Sequence, residues 1–177
     1  MLIRSFIAVP IPDEPADEII KYIFRMRPNL NFKWVNRDQL HITLKFLGEI
    51  DTNKLQLVKN ALDEIKINFE PFRINLNKLG SFPGVLFLSG DKGVKELNLL
   101  AKNINQKIFE YAQIQFDKRK FRPHVTLARF HNKNISPEEL LTSLENLPNK
   151  NIEWTCNEIY LMKSDLKPSG AVYTRLY

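Results

Sequence analysis

The chain has 177 residues, 44% of them hydrophobic, which is enough apolar material to fill a core as one domain or as two closely packed lobes. Its 26 Lys and Arg against 20 Asp and Glu give a formal net charge of +6, which favours acidic partners such as RNA, but the excess is scattered and forms no basic tail. The single cysteine, Cys156, excludes an internal disulfide framework and a cysteine-rich metal site, suits a reducing cytosol, and reads as a small buried hydrophobe.

In chain order, the N-terminal run MLIRSFIAVPIP is apolar but short, carries Arg4 early and leads into prolines and acids, so residues 5–11 read as a first strand and not as a targeting segment. Residues 15–26 read as a helix opened by Asp13, Glu14 and Pro15, and residues 32–35 and 40–47 as strands, the second ended by Gly48. Asp51 and Thr52 start a helix over 53–67, with Leu55, Val58, Leu62 and Ile65 at helical spacing. Strands at 72–79 and 85–89 flank a turn or exposed loop over Gly80, Ser81, Phe82, Pro83 and Gly84, which predicts a hairpin. Residues 94–111 form the strongest helical pattern, with Leu97, Leu100, Ala101, Ile104, Ile108 and Tyr111 on one face, and precede a strand over 124–130. Ser136 and Pro137 make an N-cap and first turn for a helix to about Leu147. Closing strands at 154–162 and 171–176 surround a turn at 168–170. No stretch approaches the roughly 20 apolar residues that span a bilayer. The alternation of strands and helices occurs twice, which predicts an α+β fold of two similar lobes in one domain.

Two of the three histidines open matching strings, His41-Ile42-Thr43-Leu44 and His124-Val125-Thr126-Leu127. Side chains alternate along a strand, so His41 and Thr43 share one face while Ile42 and Leu44 turn to an apolar side; His124 and Thr126 stand likewise against Val125 and Leu127. One such string is commonly no more than a half-buried sheet position. Two copies in corresponding places of an apparent duplication point to function. Set side by side, the strands place two imidazoles across a cleft, and an unperturbed pKa of about 6.5 lets one ring be neutral and the other protonated near pH 7. Across a cyclic phosphodiester, the neutral ring activates water for attack on phosphorus and the imidazolium protonates the departing ribose oxygen. Thr43 and Thr126 donate to the non-bridging oxygens, where charge grows in the transition state. No step of this scheme requires a metal or another cofactor.

A metal site built from His41, His124 and His131 is the rival reading, but no HExxH string, cysteine pair or recurring Asp/His cluster accompanies them. A nucleophilic serine elbow and a Walker-type phosphate loop are both absent from the sequence. A module that binds RNA without catalysis is a further alternative, although such a module has no need for a matched acid and base.

At these motifs the sequence resembles the two-histidine (2H) phosphoesterase superfamily, specifically the RNA 2',3'-cyclic phosphodiesterases first named 2'-5' RNA ligases. The resemblance runs through RSFIAVPIP, WVNRDQLHITLKFLGEI, LGSFPG with VLFLSG, FRPHVTLARF and LMKSDLKPSGAVYTRLY, and so spans essentially the whole chain. It implies a bilobal α+β fold with antiparallel sheets facing a central cleft and helices outside. The implied activity is hydrolysis of a terminal RNA 2',3'-cyclic phosphate to a 2'-phosphate, with a reversible 2'-5' ligation as the same chemistry run backwards. The family's assignment carries over as His41 the proton donor and His124 the proton acceptor, with Thr43 and Thr126 binding phosphate; from the sequence alone the two imidazoles are interchangeable. The expected molecule is a cytoplasmic monomer that needs no cofactor, has an RNA end as its partner and touches no membrane.

Arg129 matches the family's HxTLAR pattern and is a candidate phosphate contact, yet strict alternation from His124 puts it on the opposite face, so a bulge or the strand end would have to turn it back. Lys45 shares a face with His41 and Thr43 by the same alternation and reads equally as a cleft residue that steers RNA and as a solvated lysine. Arg122, just before Pro123, is a candidate contact for backbone phosphate, with an ordinary pre-proline loop role as the plainer reading. Among Phe6, Phe46, Phe82, Trp34, Trp154 and Tyr173, most belong in a core, and some are candidates for stacking a terminal base.

Overall fold

The most apolar run of the N-terminus forms β1, Ile3–Pro10, a strand buried continuously from Ser5 to Val9 and therefore central in its sheet. The computed structural model describes residues 1–117, 119–131, 136–147, 150–168 and 170–177. Within these, β1 is followed by α1 (Asp13–Met26), β2 (Lys33–Trp34), β3 (His41–Ile50), α2 (Thr52–Ile67), β4 (Phe72–Leu76), β5 (Lys78–Phe82), β6 (Val85–Ser89), α3 (Val94–Ala112), β7 (Val125–Arg129), α4 (Pro137–Ser143), β8 (Ile152–Cys156), β9 (Tyr160–Lys167) and β10 (Gly170–Arg175). The α+β reading holds.

A large antiparallel sheet runs β10-β9-β1-β3-β7-β6-β5, with β2 paired to β7, and β4 and β8 form a separate two-stranded sheet. The large sheet has two halves, β10-β9-β1-β3 and β7-β6-β5, joined where β3 meets β7 at the single pair Ile42↔Val125. Helices cover its apolar face. Ala16, Ile19, Ile23 and Met26 of α1, Val58, Ala61, Leu62 and Ile65 of α2, and Leu97, Leu100, Ala101, Ile104 and Ile108 of α3 are buried in one core with Ile42, Leu44, Val125 and Leu127. Asp51 caps α2 by accepting a hydrogen bond from the Lys54 backbone, and Ser136 with Glu139 forms a reciprocal capping box on α4.

Several boundaries differ from the sequence reading for identifiable reasons. Gly48 does not end β3: the register passes from Ser5↔Gly48 to Phe6↔Phe46, Leu47 is left over as a bulge, and Gly48 at φ +73° lets the strand run on to Ile50. The run 72–79 divides because the chain changes sheets at Asn77, whose backbone N–H donates to the Ser89 carbonyl. Gly80, Ser81 and Phe82 lie in β5, opposite Phe87, Leu86 and Val85, so the hairpin turn is only Pro83 and Gly84, with Gly84 at φ +77°. The run 154–162 likewise serves two sheets as β8 and β9, and α4 stops at Ser143. Tyr111 is exposed, with its hydroxyl donating to Glu64 on α2, and Ala112 takes the buried place at the end of α3. Of the closing turn, Ser169 lies outside the described residues.

Candidate active site

Ile42 and Val125 pair across the seam with both side chains in the core, so the residues on either side of them turn to the opposite face of the sheet. His41, Thr43, His124 and Thr126 are accordingly half-buried on that face. The antiparallel sense of β3 and β7 sets His41 towards Thr126 and Thr43 towards His124. The four residues form a set with approximate two-fold symmetry about the Ile42–Val125 pair.

Each imidazole is held in the same way. The Gln39 carbonyl takes the Nδ1–H of His41 at 2.7 Å, and the Arg122 carbonyl takes that of His124 at 2.7 Å. A carbonyl can only accept, so in the neutral rings the proton sits on Nδ1 and Nε2 is the basic nitrogen. The Thr43 hydroxyl, 2.9 Å from His41 Nε2, therefore donates to it in the neutral state. Gln39 is itself fixed: its Oε1 accepts from the Asn36 backbone at 2.8 Å, and its Nε2 donates to the Ala171 carbonyl on β10 at 2.7 Å.

Aromatic rings flank both histidines. Phe6 lies 4.8 Å and Tyr173 5.2 Å from the His41 ring, and Phe82 lies 5.5 Å and Phe87 5.2 Å from the His124 ring. These rings withdraw the imidazoles from water, which disfavours the charged form. The His41 pKa is pushed from 6.5 down to about 4, first by burial and further by the charges of His124 and Arg129, against the opposing pull of the Gln39 carbonyl. Burial also lowers the His124 pKa, with Arg129 acting in the same direction. Both shifts favour the neutral ring, including the one to which the resemblance gives the role of proton donor.

The positions after each motif are reset by a bulge. In β3 the register moves from Ala8↔Thr43 to Ile7↔Lys45, leaving Leu44 as the extra residue, and in β7 it moves from Phe87↔Thr126 to Leu86↔Ala128, leaving Leu127. The Leu127 bulge turns Arg129 back to the face of His124 and Thr126, where its charge bears on both histidines and on Tyr173. The Leu44 bulge has the opposite effect on Lys45 and overturns its assignment to the cleft. Lys45 is 1% exposed, and its Nζ donates to Asn105 Oδ1 at 2.7 Å and to the Gln115 carbonyl at 2.9 Å, with Asp117 at 3.8 Å. Phe46, 60% exposed, takes the position that corresponds to Arg129.

The remaining candidates sort by place. Arg122 serves the site through its carbonyl, while its guanidinium lies 5.8 Å from the Phe82 ring centre. Trp154 is buried in β8 away from the seam, and Trp34 packs on Phe32. His131 is exposed beyond the end of β7. Among the described residues no group of three His, Cys, Asp or Glu side chains gathers as metal ligands. Sequence reasoning missed Gln39, whose role is carried by its carbonyl, and Phe87, whose ring lies over Gly80 and contacts His124. A Cβ at Gly80 would collide with the Phe87 ring, and the glycine of LGSFPG was the available signal.

The family model of the 2'-5' RNA ligase superfamily matches residues 12–168. A Methanocaldococcus jannaschii protein named RNA 2',3'-cyclic phosphodiesterase is 32% identical over 184 aligned positions, covering 96% of this chain and 96% of the relative. A Bacillus subtilis protein of the same name is 38% identical over 130 positions, covering 70% of this chain and 69% of the relative. The crystal structure of TT0787 from Thermus thermophilus superposes with a TM-score of 0.81 at 29% identity, over 99% of this chain and 96% of that one. The E. coli LigT structure with 3'-AMP superposes with a TM-score of 0.84 at 24% identity, over 100% of this chain and 97% of that one, which extends the likeness of fold. With nearly its whole length matched in sequence and in architecture, the chain belongs to the 2'-5' RNA ligase superfamily.

Proposed function

We propose that the chain hydrolyses RNA 2',3'-cyclic phosphate ends to 2'-phosphates by two-histidine acid–base catalysis without a metal. The observation that carries the reading is the paired set at the seam: two imidazoles on one face, each with Nδ1–H on a carbonyl and each with a threonine two residues on. The relatives' name, RNA 2',3'-cyclic phosphodiesterase, supports the substrate class. His124 Nε2 accepts a proton from water as the water oxygen bonds to phosphorus, and His41, protonated on Nε2, gives its proton to O3' as the P–O3' bond breaks. Proton exchange with solvent restores both rings. Thr43 and Thr126 donate to the non-bridging oxygens, and Arg129 offsets their charge.

Burial favours the neutral form of His41, so this scheme requires the substrate's negative charge to raise its affinity for a proton, with the Thr43 hydroxyl rotating from Nε2 to a phosphate oxygen. In this reading the chain is one domain of two similar lobes, works as a monomer in the cytoplasm, and runs the reaction backwards when an RNA hydroxyl replaces water. The test is to incubate the purified protein with RNA carrying a 2',3'-cyclic end and identify the product phosphate by NMR. A 2'-phosphate, turnover undiminished in EDTA, and its loss in His41→Ala and His124→Ala with folding intact are expected. A 3'-phosphate product, strong chelator inhibition, or full activity in either alanine variant contradicts the proposal.

A further inference from the structure

Tyr173 sits on β10, the edge strand of the first half-sheet and three strands from β3 in the ladder order, yet its ring meets the His41 ring edge-on at 5.2 Å and 90°. It also packs edge-on against Phe6 at 5.0 Å, and Phe6 in turn contacts His41 at 4.8 Å. The half-sheet is thus curled so that the β10 corner closes on the start of β3. Gln39 fixes that closure. Its carbonyl accepts from His41 Nδ1 at 2.7 Å and its side chain donates to the Ala171 carbonyl at 2.7 Å, two residues before Tyr173. One residue therefore mounts both the imidazole and the strand that carries the phenol.

The phenol is placed there without an internal use for its hydroxyl. Among the described residues the Tyr173 hydroxyl has no hydrogen-bond partner, whereas those of Tyr111, Tyr160 and Tyr177 donate to Glu64, Glu158 and Asp63. Among the described residues the buried polar atoms left without a partner lie on Ser5, Asn77 and Trp154, and the half-buried Tyr173 is not one of them, so its hydroxyl keeps access to solvent. Of the four rings that flank the two histidines it alone carries a hydroxyl. Burial raises the pKa of the phenol, which keeps its proton on and keeps it a donor at neutral pH, against the opposing positive charges of Arg129 and Arg4.

We propose that the Tyr173 hydroxyl donates a hydrogen bond to a non-bridging oxygen of the reacting phosphate on the His41 side, as a further substrate-binding group beside Thr43. The assignment rests on the two-histidine reading above. It gives the phosphate a donor whose position is tied, through Gln39, to that of the proton donor itself.

Tyr173→Phe keeps the ring and removes only the hydroxyl, so it is the informative variant of the full-length protein. With cyclic-phosphate-ended RNA, kcat/KM should fall about 10- to 100-fold, the range for a lost hydrogen bond to a charged group. Inhibition by inorganic phosphate should weaken in parallel while the urea midpoint stays unchanged. Tyr173→Leu, which also removes the packing on His41, should be worse in both activity and stability. Wild-type kcat/KM and phosphate inhibition in Tyr173→Phe, with loss confined to Tyr173→Leu, would overturn the proposal in favour of a packing role. Lost turnover with unchanged phosphate inhibition would overturn the phosphate contact. If His41→Ala and His124→Ala both remain active, the two-histidine reading itself fails, a result distinguishable from either outcome at Tyr173.

Discussion

Inorganic phosphate bound between the two histidines should bring His41 from neutral to substantially protonated near pH 7. The His41 pKa is held at about 4 by burial and by the neighbouring positive charges, so at pH 7 only about one ring in 10³ carries a second proton. One negative charge about 4 Å away, at an effective dielectric constant of about 20, is worth roughly 4 kcal/mol. At about 1.4 kcal/mol per pKa unit, that lifts His41 by about three units, to about 7. The assay is an NMR pH titration of the His41 ring resonances with and without saturating phosphate, assigned with His41→Ala. Stability should follow the same linkage. In the free protein the unfolded chain takes up a proton near 6.5 and the folded one near 4, so the contribution of His41 is present above 6.5 and is lost as pH falls towards 4. Bound phosphate should shrink that loss. A His41 pKa that stays below about 5 under saturating phosphate would refute the substrate-assisted protonation on which its role as acid depends.

Arg129→Ala should lower kcat/KM about 10- to 100-fold by removing a charge-assisted contact, and should also raise the free-enzyme pKa of both histidines, moving the optimum of the kcat/KM–pH profile to higher pH. An unmoved profile would place Arg129 away from the rings. Lys45→Met keeps the stem but leaves Asn105 and the Gln115 carbonyl without their donor; a stability loss on the order of 2–4 kcal/mol in urea unfolding is expected. Unchanged stability would show that water or a rearranged Asn105 replaces the ammonium. Gly80→Ala should displace the Phe87 ring at a cost of about 1–3 kcal/mol and lower turnover through His124, which that ring contacts. Wild-type activity in a Gly80→Ala protein of reduced stability would separate the ring from catalysis.

The period-two pattern around His41 and His124 was enough to read the active face from sequence, because the alternation that aims those histidines also demands the buried Ile42 and Val125 beside them. That reasoning stops at the first bulge. A single extra residue inverts every later side chain, so Lys45 was assigned to the wrong face, and Arg129 reached the right one only through the bulge that its place in the cleft demands. The strand-like runs 72–79 and 154–162 misled for a different reason. Each contributes strands to two sheets, and the sheet change at Asn77 rests on backbone pairing that has no local sequence signal. The closure of β10 onto β3 through Gln39 and Ala171 was equally hidden, since it joins residues 132 positions apart.

The matched bulges at Leu44 and Leu127 have a consequence for direction. Two imidazoles and two threonines around a near two-fold axis would by themselves accept a phosphodiester either way round. The bulges bring the fifth residue after each histidine to the cleft, and there the halves part company: an exposed phenyl ring at Phe46 and a guanidinium at Arg129. An apolar end suits a nucleoside base and a cationic end suits phosphate oxygens, so this difference, like the phenol that only the His41 side carries, gives a nearly symmetric cleft a head and a tail. Because both positions lie outside the core, either can change without disturbing the sheet behind it, and the polarity of the site is free to vary independently of the machinery that would act there.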